Sequence, residues 1–274
     1  MKRILTFILP FLFLNVSFAQ ESWELESNID FPRLGLISLD NQGFIFIADL
    51  EGNIYQYDRT GKEVNNFSPP RQGALISLEA ARTANIFTFS IDLQEYRILD
   101  RFINPIAENR VPLDQITLAK SATLGNNNII WFFDEADLSL KQFDFRIRKV
   151  QQQQPLNLIL NQSSLDIRDM REYQNLLFLN IRNEGIYILD NQANMIKHLP
   201  VMLEQKFSFW KNFLVYVSDG NINLQNFMTG KMETVPLPEN ITVKEVLINQ
   251  YNVILSDGRN IFIYPKSKSP LKDF

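Results

Sequence analysis

Cysteine does not occur in the 274-residue sequence, so disulfides, thiolate nucleophiles and cysteine-ligated metal are excluded. Histidine occurs once, as His198. One imidazole cannot build a histidine metal centre, and its setting, Lys197-His198-Leu199-Pro200 at a predicted strand end, points to an exposed position instead. No basic surplus exists: 27 Lys and Arg face 31 Asp and Glu, a net charge of −4 that argues against nucleic acid and against adhesion to anionic lipid. Beyond the N-terminus no apolar run approaches the length of a membrane span. Without covalent staples, stability must come from a core, and 45% hydrophobic residues with 22 Phe are enough to bury one.

The N-terminus has a pattern of its own. Lys2 and Arg3 precede an apolar run over residues 4–16, followed by Ser17-Phe18-Ala19. This is the layout of a secretory signal peptide over residues 1–19, with cleavage predicted after Ala19 to leave Gln20 first. The run is short for a bilayer span, and no cysteine follows it to accept a lipid. Loss of Lys2 and Arg3 would take the net charge from −4 to about −6. The expectation is an exported protein, periplasmic or associated with the outer membrane, not a lipoprotein and with no direct membrane span.

The stretch over residues 36–67 organises the remainder. Three turn signals, Asn41-Gln42-Gly43, Leu50-Glu51-Gly52 and Arg59-Thr60-Gly61, separate short apolar or alternating runs and predict four antiparallel strands. A sheet this small cannot bury two apolar faces alone, so it needs neighbours of its own kind. Further units follow at 75–102, 115–144, 176–199, 213–235 and 253–264, and Ser218-Asp219-Gly220 is matched by Ser256-Asp257-Gly258. Aligning Ile54, Tyr96, Leu140, Ile186, Ile222 and Ile261 gives steps of 36 to 46 residues. Four strands per unit at that period predict an all-β propeller over residues 20–265, with six blades and five or seven as neighbouring solutions. The last unit lacks a strand while Trp23-Glu24-Leu25 has no partner, so the N-terminal strand is predicted to close the ring in blade six, burying Trp23 and Leu25. Residues 266–274 read as a polar tail, and Gln151 to Gln154 with Pro155 as a polar linker between blades.

The text of residues 36–67 and the paired Ser-Asp-Gly hairpins resemble the NHL, YVTN and WD40-like class of repeat propellers. The class's Trp-Asp blade ending is absent, and a Gly-His signature cannot recur with one histidine. The resemblance implies a propeller, and exported propellers of this kind often serve as scaffolds. It also admits two alternatives, a metal-assisted hydrolase or lyase of the lactonase type and a small-ligand or glycan sensor. Lactonase-type chemistry needs carboxylates converging from different blades. Asp49, Asp92, Asp134, Asp219 and Asp257 sit instead at turns, where an Asp side chain caps its own backbone. Quinone-dependent propellers carry a Trp in each blade, and Trp23, Trp131 and Trp210 do not supply that. No catalytic residue, cofactor or metal ligand is therefore assigned.

Two segments are candidates for a partner surface. Phe207, Phe209 and Trp210 alternate beside Lys206 and Lys211, which suggests a rim position, whereas the continuous run Ile129-Ile130-Trp131-Phe132-Phe133 reads as core. Arg146, Arg148 and Lys149 form a small basic patch on an acidic chain. The function these features suggest is non-enzymatic: a scaffold or accessory subunit binding protein partners in the cell envelope.

Overall fold

A computed structural model describes residues 23–80 and 85–274, so the predicted signal peptide and the cleavage at Gln20 lie outside the described residues. After β1 (Ser27–Asp30) come β2 (Leu34–Leu39), β3 (Ile45–Asp49), β4 (Ile54–Tyr57) and β5 (Glu63–Phe67), which form blade one. Blade two holds β6 (Ser77–Glu79), β7 (Asn85–Ser90), β8 (Glu95–Asp100) and β9 (Pro105–Arg110). Blade three holds β10 (Ala119–Leu124), β11 (Ile129–Asp134), β12 (Ser139–Asp144) and β13 (Lys149–Pro155), followed by a one-turn helix, Leu156–Ile159. Blade four is β14 (Ile167–Tyr173), β15 (Leu176–Ile181), β16 (Gly185–Leu189) and β17 (Met195–Leu199). Blade five is β18 (Ser208–Trp210), β19 (Phe213–Ser218), β20 (Asn221–Asn226) and β21 (Met232–Pro236). Blade six joins β22 (Glu245–Ile248), β23 (Asn252–Ser256) and β24 (Asn260–Pro265) to β1, so six four-stranded antiparallel sheets close into a propeller.

Six apolar clusters lie one at each blade–blade interface. Phe89, Tyr96, Phe132 and Phe143 between blades two and three are one example, and Ile29, Ile47, Ile254 and Ile263 across the closing seam are another. The six residues aligned by the repeat, Ile54, Tyr96, Leu140, Ile186, Ile222 and Ile261, all fall on the third strand of their blades, and all are buried. The period is thus the spacing at which each blade must offer one apolar residue to its neighbour. Blade one repeats one turn three times. Asp40, Asp49 and Asp58 each accept from the N–H groups two and four residues on, and Gly43, Gly52 and Gly61 close the turns at positive φ.

Gly52 is the tightest of these: at φ +86°, a Cβ there would meet the Gly73 carbonyl oxygen at 2.4 Å, whereas one on Gly220 at φ +74° meets nothing within 4 Å. Gly220→Ala isolates the conformational cost, about 1 kcal/mol, and Gly52→Ala adds a backbone collision for about 3 kcal/mol. Chemical denaturation of the two variants should return that order, and equal losses would show that the contact relaxes.

Several expectations need correction. The closing strand is Ser27–Asp30, not Trp23-Glu24-Leu25; Ser27 to Asp30 pair with Ile263 to Asn260. Trp23 is still anchored, donating from Nε1 to the Pro236 carbonyl (3.0 Å) and meeting Tyr264 edge-on at 5.1 Å, but Leu25 points to solvent. Gln151 to Gln154 are not a linker: they belong to β13, the outermost strand of blade three. Outer strands splay away from the axis, so both faces meet water and a polar run is admissible there. Residues 266–274 are not a free polar tail either, because Leu271 is fully buried in the cluster between blades five and six and Phe274 packs on Phe213. No described helix is long and apolar enough to cross a membrane.

Candidate functional site

The first strands of the blades, β2, β6, β10, β14, β18 and β22, surround the axis. Hydroxyl side chains tie neighbours together where the apolar wedge between blades runs out. Ser77 Oγ donates to the Ala122 carbonyl (2.8 Å), Ser208 Oγ donates to Val246 (2.7 Å), Ser38 Oγ accepts from Ala80 N (2.9 Å), and Thr123 Oγ1 accepts from Glu172 N (3.0 Å). At the C-terminal ends of these six strands lies a cavity of about 330 Å³ to which every blade contributes.

Its floor is charged. Lys206, just ahead of β18, reaches across the ring to blade two, donating to the Ile76 carbonyl at 2.7 Å and to Asp169 Oδ1 at 3.2 Å. Arg171 on β14 lies 3.5 Å from Asp169 and 3.9 Å from Glu79, and also reaches the Leu78 carbonyl at 3.4 Å. The two cations therefore brace blades four and five against blade two across the ring. Burial would raise the carboxyl of Asp169, but Lys206 and Arg171 outweigh it and hold the group below its ordinary value. For Glu79 burial wins: despite Arg171 and the Thr123 hydroxyl, its carboxyl is pushed up to about 7. Glu245 on β22 is pushed up to about 7 as well, again by burial and against the pull of Lys206 and Arg171.

One wall is aromatic. Tyr173 stacks on Phe209 at 4.2 Å and donates its hydroxyl to the Lys211 carbonyl (2.8 Å), and Phe209 meets Phe178 edge-on at 4.7 Å. The Trp210 ring receives the Lys211 and Lys266 ammonium groups at 5.5 and 5.4 Å. The candidates Phe207, Phe209 and Trp210 thus line the axial cavity on and beside β18 and do not sit on a rim, with Phe207 buried and the other two half-buried. Arg146, Arg148 and Lys149 lie elsewhere, at the exposed hairpin joining β12 to β13, where Arg148 donates to Asn109 Oδ1 (2.8 Å). The structure does not bring the two sets together.

His198 stacks on Tyr187 at 4.3 Å on the outer strand β17, with Nε2 2.8 Å from the Glu184 carbonyl oxygen. Asp49 and Asp257 cap their own turns as expected. Asp134 does more, accepting from Thr117 N, Leu118 N, Ala136 N and the buried Lys141 ammonium. Among the described residues no group of three Asp, Glu or His side chains is placed to hold a metal ion.

Sequence reasoning missed Glu79, Asp169, Arg171 and Glu245, and met Lys206 only as a flank of the aromatic segment. Three of the strands concerned, β14, β18 and β22, are short or charged and were not predicted as strands. The usable signal is positional: an unpaired segment one strand upstream of each recognised hairpin.

No protein-family model matches the sequence, and no curated protein matches it significantly. Solved structures do. The Pan2 WD40 domain of Neurospora crassa superposes with a TM-score of 0.64 at 11% identity, covering 92% of this chain and 96% of that one. The Cps50 (Swd1) β-propeller domain of Myceliophteria thermophila gives 0.60 at 9%, covering 89% and 99%. A catalytically inactive virginiamycin B lyase from Staphylococcus aureus with quinupristin gives 0.55 at 10%, covering 85% and 80%. A likeness at such identities is one of fold: the chain is a six-bladed β-propeller.

Proposed function

We propose that this chain is a non-enzymatic binding module: an exported propeller acting as a scaffold or accessory subunit of a periplasmic or outer-membrane-associated assembly, with the axial cavity as its contact site. One observation carries the reading. All six blades converge on one cavity with an aromatic wall, and beside it Lys206 and Arg171 brace blades four and five against blade two. A preformed pocket with few placed polar groups suits recognition. Export is supported by the sequence over residues 1–19, and mass spectrometry of exported material should begin at Gln20.

The binding test uses Asn41, exposed at the mouth of the cavity. Asn41→Trp should block the mouth and cut partner capture from the native envelope fraction at least about tenfold, with stability changed by less than about 0.5 kcal/mol. Undiminished capture would remove the cavity from the interface. Trp210→Ala is a poorer probe, because Trp210 also packs on the core between blades five and six, and truncation should cost about 3 kcal/mol on its own.

A catalytic alternative has one observation in its favour, two cavity carboxyls, Glu79 and Glu245, poised at about 7. It predicts turnover of a lactone or ester panel that Glu245→Gln abolishes, and the absence of any turnover would dismiss it.

A further inference from the structure

In each up-and-down blade the turn between the third and fourth strands lies at the outer edge of one face of the ring, and the turn between the second and third strands lies on the other face. The outer turns of blades one, two and three share a capping aspartate. Asp58, Asp100 and Asp144 each accept from peptide N–H groups of their own turn. Past the aspartate these turns present Arg59 and Lys62, then Arg101, then Arg146, Arg148 and Lys149, all exposed. None of the six cations forms an ion pair with a described residue. Arg59 lies over the Tyr251 ring at 4.6 Å, Arg101 over Phe102 at 4.7 Å, and Arg148 donates to the neutral Asn109 side chain. The remaining acid of these turns, Glu63, accepts from Tyr57 and Asn66.

The basic run stops there. The matching turn of blade four offers Asn191 and Gln192, and in blade five Lys231 is paired with Glu233 at 2.8 Å. The opposite face carries acids at its turns, among them Glu51, Asp92, Glu135, Glu184 and Asp219. A chain of net charge −4 has thus gathered unpaired cations along half of one rim. The tips are also held in place. The Arg59 carbonyl accepts from Asn252 of blade six (2.8 Å), and those of Arg101 and Phe102 accept from Gln56 (3.1 Å) and Asn65 (2.6 Å) of blade one. Each tip is fixed by the preceding blade, so little backbone freedom remains to be lost on binding. Between the cations Phe102 and Ile147 are 54% and 58% exposed. Fixed, unpaired guanidinium groups with apolar side chains between them suit a ligand that alternates carboxylates with apolar groups.

We propose that the outer rim of blades one to three docks a polypeptide segment rich in Asp and Glu and interspersed with apolar side chains, with Arg59, Arg101 and Arg146 as its principal carboxylate partners. Successive turns on an arc suit a chain that can bend along them. A flat anionic bilayer would also meet the outer turns of blades four and five, which add no unpaired cation. A second copy offering its acidic face would make a contact of unlike surfaces, which propagates and does not close. The rim uses none of the residues that line the axial cavity, so the inference goes beyond the role proposed for that cavity and stands independently of it.

The test is fluorescence anisotropy of a labelled peptide of Glu with Phe at every third position, titrated with the full chain, beside a counterpart that has Gln in place of Glu. At low salt the acidic peptide should bind at least about tenfold more tightly than the neutral one, and added salt should erase the difference. The triple variant Arg59→Gln, Arg101→Gln, Arg146→Gln should lose at least about tenfold in affinity for the acidic peptide, while Lys231→Gln on blade five keeps the native value. The substituted side chains are exposed, so the thermal midpoint should hold. Should the triple variant fold poorly, the three single variants replace it, each expected to lose about threefold. Equal affinity for the two peptides, or native affinity in the triple variant, overturns the proposal. Absence of peptide binding overturns it too, and two measurements then name the occupant. Flotation with phosphatidylglycerol–phosphatidylcholine vesicles would make it a lipid surface, and a salt-sensitive self-association in sedimentation that the triple variant lacks would make it a second copy of the chain.

Discussion

A variant beginning at Phe31 is expected to lose about 4 kcal/mol or more of stability, and with it roughly 10 °C of thermal midpoint. Three losses add. β1 is the only hydrogen-bonded neighbour of β24 on its outer side, so its removal leaves the edge of blade six open. Ile29 leaves the cluster that seals blade six against blade one. Trp23 leaves its hydrogen bond to Pro236 and its edge contact with Tyr264. The bidentate pair between Arg259 and Asp30 adds little, since both groups are more than half exposed. The structure changes the expectation for the other terminus. A variant ending at Ser267 would be nearly silent if residues 266–274 were a loose tail, but Leu271 is fully buried. That truncation should cost about 2 kcal/mol from lost apolar burial. Scanning calorimetry of the two variants should give the N-terminal deletion the larger fall. An unchanged midpoint on deleting residues 20–30 would mean that β1 does not close the ring.

Asp134→Ala is the point substitution expected to cost most, about 3 to 5 kcal/mol. Asp134 is fully buried; it accepts from three peptide N–H groups at 2.8, 2.9 and 3.1 Å and from Lys141 Nζ at 2.7 Å. Its loss would leave the buried Lys141 ammonium with Asp137 and the Gln115 carbonyl, and three N–H groups without their acceptor. Lys141→Met should cost less, because the carboxylate keeps its three N–H donors. Burial raises the Asp134 carboxyl, but Lys141 and the peptide groups outweigh it, and the folded value lies below the ordinary 3.8. A lowered folded value means that the stabilisation is complete above the unfolded value and is lost as pH falls through 3.8 and on through the folded value. Asp134→Asn should therefore flatten the acid limb of the stability profile. An acid limb identical to the native one would assign the loss of stability to other carboxylates.

What could be read without coordinates follows from how blades pack. Second and third strands are covered by neighbouring blades on both faces, so they must be apolar, and the tight turns between them require Asp and Gly at set offsets. Those constraints are local and recur, so Leu176–Ile181 and Asn221–Asn226 were legible, as was the six-fold count. First and fourth strands obey weaker rules. The fourth is solvated and tolerates Lys149–Pro155, a run of four glutamines ending in proline, while the first borders a polar axis and in blade five is only three residues long.

By itself the sequence determined the fold class, pointed to six blades with five or seven as neighbouring solutions, and gave the closure of the ring by an N-terminal strand and the absence of thiol and histidine-metal chemistry. Each of these depends on composition or on a pattern that repeats within a few tens of residues. The tertiary structure alone decided that Phe207, Phe209 and Trp210 face an axial cavity, that Glu79, Asp169, Arg171 and Lys206 form an ion-pair network beside it, and that Glu245 is on its lining. These residues span more than 160 positions, and ring closure brings them together. The proximity that sets their charge states, with Glu79 and Glu245 raised to about 7 and Asp169 lowered, exists only once the six inner strands surround one axis and exclude water from it.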